Sequence, residues 1–259
     1  MDMSHHNRRG MTILELLVVV GIMAILFALI TSAISRVRNS AQTVSCASNE
    51  HQIFSSLIAF AADHSGYLPV PGECGTVDFP AGNGPFVVWA MDANHPEGGT
   101  IDLNTGTLWP YLPASLSDRQ NVVRCPADIN AASTYGGTLN IERNFSYSFN
   151  ANIGHPNGQV TSMALAAIVR PAAKILIYEE NAPNDSWNCS DTGANGDDLP
   201  SGRHGTGSTD IGATSNHVWY TQGLGNFCFF DGHIETLTPE QIIVDEQTNT
   251  NSRWYPLTQ

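Results

Sequence analysis

Gly10, Met11 and Glu15 are the residues whose types and spacing most clearly suggest chemistry. Two arginines precede Gly10, and residues 16–34 form an uncharged, apolar run after Glu15. If the chain is cut after Gly10, Met11 gains a free amine and Glu15 becomes the fifth residue, about one helical turn away. A carboxylate deep in an apolar span costs roughly 2.5–3.5 kcal/mol on insertion scales, so such residues tend to be paired. The spacing predicts that Glu15 neutralises an N-terminal amine, in its own chain or in a neighbouring one.

Two simpler explanations of the apolar run account for less. A cleaved secretory signal has a shorter apolar region and a small-residue cleavage site. A plain signal-anchor explains the span and the preceding arginines, which favour a cytoplasmic N-terminus. Arg36 and Arg38 on the other side make that charge bias nearly even. Neither explanation accounts for Glu15, and the run is long enough to cross a bilayer at about 1.5 Å per residue.

Residues 8–34 resemble the class III signal of type IV prepilins and type II secretion pseudopilins. In that family a membrane peptidase, the prepilin peptidase, cuts after the glycine and N-methylates the new first residue. That residue is most often Phe in the family and is Met11 here. The family's glutamate at position five is needed for assembly into a helical filament. The resemblance implies processing at Gly10, assembly through Glu15, and other pilin or pseudopilin subunits as partners.

An acidic stretch near residue 190 contains the best candidates for a cation site. Residues 191–196 match positions 1, 5 and 6 of an EF-hand loop, but glycines occupy positions 3 and 12. A looser Ca²⁺ site and a solvated acidic loop remain as alternatives; the candidate ligands are Asp191, Asn195, Asp197 and Asp198. Major pseudopilins, which the chain resembles, can bind Ca²⁺ in a C-terminal loop. We expect no other cofactor.

Catalysis and nucleic-acid binding have little support in the sequence. Residues 201–205 do not form a nucleophile elbow, and no histidine pair has metal-binding helical spacing. The net charge of −13 opposes the phosphate neutralisation on which nucleic-acid binding rests. We therefore expect neither an enzyme nor a nucleic-acid partner.

The five cysteines lack the Cys-x-x-Cys spacing of zinc sites, so the sequence gives no support for a metal cluster. Outside the cytoplasm up to two disulfides are possible, and the residues alone leave the pairing open. The cysteines are Cys46, Cys74, Cys125, Cys189 and Cys228.

Three C-terminal segments resemble the large pseudopilin-like proteins abundant in planctomycetes. They are Cys-Pro-Ala-Asp at 125–128, Ser-Tyr-Ser-Phe-Asn at 146–150 and Phe-Phe-Asp-Gly-His at 229–233. The family's late histidine often stands close to the Asp-Gly pair, whereas 26 residues separate His204 from Asp231, so any shared role stays open. Asp231 fits a hairpin turn better than a catalytic role. This resemblance implies a bond between Cys46 and Cys125; the alternative is that Cys46 is a buried thiol.

One long helix must carry the N-terminal residues. The chain has no Pro or Gly between residues 22 and 65, and apolar residues recur at helical spacing. After a leader at 1–10, we predict a helix over 11–63, about 80 Å long, whose first part (11–34) is transmembrane. Its second part (35–63) is an amphipathic stem.

Residues 64–259 are predicted to form an extracytoplasmic globular domain. Alternation at 145–149, the apolar run at 174–179 and the Asp-Gly pair at 231–232 predict strands. Residues 86–91 are a further strand candidate, and the polar residues 181–217 predict a long surface loop. The fold class is α+β: a long helix packed on a C-terminal antiparallel sheet with long loops, as in pilins.

These features predict a structural subunit of a type IV pilus or type II secretion pseudopilus. It would be a single-pass protein of the inner (cytoplasmic) membrane, with its C-terminal domain in the periplasm or on the filament surface. The alternative is a membrane-anchored extracytoplasmic binding module that does not polymerise. A membrane-tethered hydrolase would need a triad or metal cluster, which the sequence does not offer.

Overall fold

A single helix of 51 residues, α1, runs from Ile13 to Asp63 in the computed structural model. It ends where Ser65 and Gly66 adopt positive φ angles of 58° and 85°, and Gly66 N donates to the Ala61 carbonyl at 2.7 Å. Glycine adopts this left-handed conformation without steric cost, which makes it a common helix terminator. The structure describes residues 11–69, 108–128, 132–135, 138–142, 146–150, 163–179, 189–190, 200–205, 223–239, 241–242 and 253.

The chain divides into two units, Met1–Ser40 and Ala41–Gln259. In the first unit, the large apolar side chains of residues 11–34 are 49–85% exposed. The polar Thr31 and Ser35 hydroxyls donate to the carbonyl oxygens of Phe27 and Thr31, four residues earlier. Such bonds satisfy a hydroxyl within its own helix, so this part of α1 presents an almost wholly apolar surface.

The second unit is built on a five-stranded sheet of order β5-β3-β4-β6-β7. Neighbouring strands are antiparallel except β3 and β5, which are parallel. The strands are β3 (Tyr147–Asn150), β4 (Ile175–Glu179), β5 (Cys189–Ser190), β6 (Gly225–Phe229) and β7 (Ile234–Leu237); a separate antiparallel hairpin pairs β1 (Ala132–Tyr135) with β2 (Thr138–Glu142). A short helix, α2 (Leu116–Val123), precedes them. The predicted α+β class, a long helix with a C-terminal antiparallel sheet, is confirmed.

The C-terminal half of α1 supplies part of the core of this unit. Ile53, Leu57 and Phe60 are fully buried, and their spacing puts them on one stripe of the helix. They belong to the same apolar cluster as Tyr147 and Phe149 of β3. The opposite face of the sheet packs in a second cluster, formed by Ile175, Tyr178, Phe227, Phe229 and Ile242. Strands β3, β4 and β6 are thus buried on both faces, which is why β3 has no exposed residue where the sequence predicted alternation.

The prediction of a surface loop over residues 181–217 is wrong for residues 200–204, all of which are buried. Ser201 N donates to the Glu179 carbonyl at 2.7 Å, and His204 and Leu224 exchange two backbone hydrogen bonds of 2.9 Å. Backbone pairing with the sheet outweighs the polar composition of this stretch. The predicted strand at 86–91 lies outside the described residues.

Candidate functional site

Glu15 lies in the first turn of α1, where it caps the helix. Its Oε2 accepts hydrogen bonds from Thr12 N at 2.8 Å and Thr12 Oγ1 at 3.0 Å, while Glu15 N donates to Thr12 Oγ1 at 3.3 Å. This reciprocal arrangement is a capping box, whose pattern Thr-x-x-Glu is present at residues 12–15. A carboxylate can accept several hydrogen bonds, so capping leaves room for an amine partner. Met11 is 67% exposed, and Gly10 lies outside the described residues.

A second candidate site is a buried polar cluster within the unit Ala41–Gln259. Each of its side chains is at most 7% exposed, although most are charged or hydrogen-bonding groups. Such groups are costly to bury unless they are paired. The buried polar cluster consists of Cys46, Glu50, Cys125, Asp128, Glu179, Arg203, His204 and Asn226.

Helix α1 and the turn after α2 supply the two cysteines. Cys46 and Glu50 lie one helical turn apart and extend the buried stripe that continues at Ile53. Cys125 starts a turn that is closed by the bond from Asp128 N to the Cys125 carbonyl, 2.9 Å long. The structure brings Cys46 and Cys125 together in a disulfide with a Cα–Cα distance of 5.1 Å.

Glu179 and His204 form the centre of the cluster. His204 Nε2 lies 2.8 Å from Glu179 Oε1, and Asn226 Nδ2 donates to the same oxygen at 3.0 Å. Glu179 ends β4, and Asn226 belongs to the neighbouring strand β6. A Cβ at Gly225 would lie 2.2 Å from the Ser201 carbonyl oxygen, so only glycine lets the segment carrying His204 approach the sheet this closely.

Arg203 and Asp128 form a buried ion pair, at 3.4 Å. Ser146 Oγ donates to Asp128 at 2.7 Å, and Arg203 Nε donates to Ser201 Oγ at 2.8 Å. The segments at 125–128 and 146–150, which the sequence singled out separately, therefore meet here.

Glu50 is the residue of the cluster whose carboxyl group has the fewest polar partners. It is fully buried, and neither of its carboxylate oxygens has a hydrogen-bond partner among the described residues. Burial raises the pKa of Glu50 well above its ordinary value, the charge of Glu179 raises it further, and Arg203 lowers it. The second oxygen of Glu179, Oε2, is likewise buried without a partner in the described part of the chain.

The other predicted site residues do not join this cluster. Asp191, Asn195, Asp197 and Asp198 lie outside the described residues. Asp231 lies in the turn between β6 and β7, as predicted, where its Oδ1 accepts a hydrogen bond from His233 N at 3.2 Å. No spacing pattern in the sequence indicates the buried polar cluster, because its members come from α1, the turn after α2, β4, β6 and the segment 200–205. The resemblance pointed to Cys46, Cys125 and the 125–128 segment; the further signal available was Glu50, a glutamate on the buried stripe of an amphipathic helix.

The comparisons with known proteins concern the N-terminal segment. Residues 5–31 match the family model described as the prokaryotic N-terminal methylation motif. Neither a curated protein nor a solved structure matches the chain. Among the described residues one helix, α1, is long and apolar enough to cross a membrane, which is consistent with a single-pass anchor. At residues 5–31 the chain carries the prepilin-type signature of pilin and pseudopilin precursors.

Proposed function

We propose that the protein is a structural subunit of a type IV pilus or a type II secretion pseudopilus. The observation that carries the proposal is the methylation motif at residues 5–31. In this proposal the chain is cut after Gly10, methylated at Met11, and incorporated through the apolar first part of α1. Its role is mechanical assembly and not catalysis.

The exposed surface of α1 supports this mode of assembly. The large apolar side chains of residues 11–34 are at least 49% exposed, so they need cover from lipid or from neighbouring helices. Lipid tails are as apolar as these side chains, so moving from lipid to a helix bundle brings little hydrophobic gain. Close packing and polar pairs must then determine how neighbouring helices are arranged. An ion pair between Glu15 and the amine of a neighbouring Met11 would fix the register.

The proposed partners are the prepilin peptidase and other pilin or pseudopilin subunits. The proposed location is the inner (cytoplasmic) membrane, with the unit Ala41–Gln259 in the periplasm or on the filament surface. The disulfide between Cys46 and Cys125 supports this location, because disulfides persist in oxidising compartments.

The N-terminus of the protein isolated from host membranes tests the processing step. We expect intact mass and terminal peptide sequencing to show a chain that starts at Met11 and carries one extra methyl group. A chain that retains Arg8 and Arg9 would refute processing, and an anchored binding module would become the better account.

Variants of Glu15 test assembly, with matched controls for the helix cap. Glu15→Ala removes both the charge and the cap, whereas Glu15→Gln keeps an oxygen for the capping box and removes the charge. Thr12→Ala removes the hydroxyl of the cap and keeps the charge. We expect both Glu15 variants to be processed and membrane-bound but missing from sheared filaments, and Thr12→Ala to assemble. Normal assembly of Glu15→Gln would show that capping, and not charge pairing, is what Glu15 supplies.

A further inference from the structure

Four side chains of the buried polar cluster place potential ligand atoms within 4.8 Å of one another; this four-ligand set is Cys46, Cys125, Glu179 and His204. We propose that the four-ligand set binds one Zn²⁺ ion when the two cysteines are reduced. The disulfide and the zinc complex are then alternative states of the same site. This inference does not depend on filament assembly.

The geometry of the set suits a tetrahedral ion. Zinc bonds of about 2.0–2.3 Å separate neighbouring ligand atoms by roughly 3.3–3.8 Å. Cys125 Sγ lies 3.8 Å from His204 Nε2 and 4.0 Å from Glu179 Oε1. Without the S–S bond the two sulfur atoms separate to non-bonded distance, and the 2.8 Å between His204 and Glu179 has to widen by less than one ångström. Small side-chain rotations suffice for both changes.

The types of ligand favour zinc over the hard cations. Two thiolates, an imidazole and a carboxylate form a mixed S/N/O set, whereas Ca²⁺ takes six to eight oxygen ligands. All four residues are buried, as in closed structural zinc sites. Asn226 donates to Glu179, and this kind of outer-shell hydrogen bond holds a ligand in position.

The surrounding charge also favours a cation. Glu50 is fully buried, and its oxygens and Glu179 Oε2 have no hydrogen-bond partner in the described residues. Arg203 is already paired with Asp128 at 3.4 Å. A divalent ion would offset two of the three negative charges that Glu179 and the two thiolates carry. The orphaned oxygens thus point to a ligand independently of the distances within the four-ligand set.

Thiol–disulfide exchange would connect the two states. One cysteine thiolate attacks a sulfur of an oxidant protein's disulfide, forming a mixed disulfide and releasing one thiolate of the oxidant. The second cysteine then attacks the bonded cysteine sulfur, forming the Cys46–Cys125 bond and releasing the oxidant's other thiolate. Two electrons pass to the oxidant, and Zn²⁺ leaves unchanged because two of its ligands are gone.

Cobalt titration of the full-length protein in detergent tests the proposal. Protein reduced with a phosphine and freed of metal by chelation is titrated with Co²⁺ and then with Zn²⁺. We expect one Co²⁺ per chain, with the visible bands of tetrahedral cobalt and thiolate-to-metal charge transfer, all abolished by one equivalent of Zn²⁺. The oxidised wild-type protein, which needs no substitution and keeps its fold, should show none of these bands. Reduced protein without the bands would overturn the proposal.

Variants identify the ligands. Cys46→Ser and His204→Gln should each weaken Zn²⁺ binding by at least about 100-fold. Cys228→Ser is the matched control, because Cys228 is a buried thiol outside the disulfide, and it should bind as the wild type does. Circular dichroism checks that each variant is folded. Wild-type affinity in folded Cys46→Ser, or loss of the bands in folded Cys228→Ser, would contradict the assigned ligand set.

Discussion

The carboxyl group of Glu50 is buried beside a second carboxylate, which makes it the best reporter of the cluster's electrostatics. Its pKa is raised, first by burial and then by Glu179, with Arg203 acting in the opposite direction. The folded protein therefore holds the Glu50 proton at pH values where the unfolded chain has lost it. The free energy of unfolding therefore falls as the pH rises above 4.5, the ordinary pKa of this carboxyl group.

We predict that Glu50→Gln stabilises the oxidised protein at neutral pH. The wild type loses about 1.4 kcal/mol of unfolding free energy for each pH unit between the pKa of Glu50 in the unfolded chain and its pKa in the folded protein. A glutamine stays neutral, so the variant avoids this loss. At pH 4 both states of the wild type hold the proton, and the gain should vanish. Urea unfolding in detergent, followed by tryptophan fluorescence from pH 4 to 8, measures the difference.

The control for this prediction is Glu235→Gln, because the Glu235 side chain is 44% exposed. The stability of this variant should stay within about 1 kcal/mol of the wild type, since an exposed ion pair contributes roughly 0–1 kcal/mol. A Glu50→Gln variant whose advantage does not grow with pH would mean that Glu50 is charged in the folded protein.

The hairpin of β6 and β7 meets helix α1 at its turn. Gly232 has a φ of 88°, and a Cβ added there would lie 2.5 Å from the Phe54 ring. Gly66, at the end of α1, has a similar φ of 85° but open space where its Cβ would be. Gly66 therefore reports the cost of the left-handed backbone alone, whereas Gly232 reports that cost together with the contact with Phe54.

We predict that Gly232→Ala destabilises the protein more than Gly66→Ala does. Gly66→Ala should cost about 1–2 kcal/mol, the price of a left-handed conformation with a side chain. Gly232→Ala should cost roughly 1–3 kcal/mol more, because the half-buried Phe54 ring, which packs against the core, has to move aside. If the two variants lose the same free energy of unfolding in urea, the Phe54 ring moves aside without cost and the hairpin packs loosely on α1.

The disulfide joins the helix to the rest of the unit Ala41–Gln259 across 79 residues of sequence. Closing a loop of that length restricts the unfolded chain by about 4 kcal/mol in the chain-entropy model. Tyr147 and Asn226 reinforce the same junction, since they donate to the carbonyl oxygens of Cys46 and Thr43 at 3.4 and 3.0 Å.

We predict that reduction lowers the free energy of unfolding by about 4 kcal/mol when a chelator removes all metal. The midpoint of urea unfolding measures the loss. The double variant Cys46→Ala/Cys125→Ala should show a similar loss without any reductant. An unchanged midpoint on reduction of the wild type would contradict the prediction.

The features that depend on local sequence were predictable. The apolar run, the stop at Gly66 and the Asp231-Gly232 pair act through neighbouring residues, so periodicity and turn chemistry were enough to place α1 and the β6–β7 hairpin. The α+β class followed from the same patterns. The methylation motif is also contiguous, which is why a match to 27 residues at 5–31 identifies it.

Tertiary structure alone assembled the buried polar cluster. Glu179 and His204 are 25 residues apart in sequence and Cys46 and Cys125 are 79 apart, so no spacing rule brings them together, and only the family resemblance implied the bond between the two cysteines. The polar composition around residue 200 predicted solvent exposure, but the hydrogen bonds of Ser201 and His204 to the sheet bury that segment. Which distant backbone groups and charges pair with each other depends on the folded arrangement, and it cannot be read from composition.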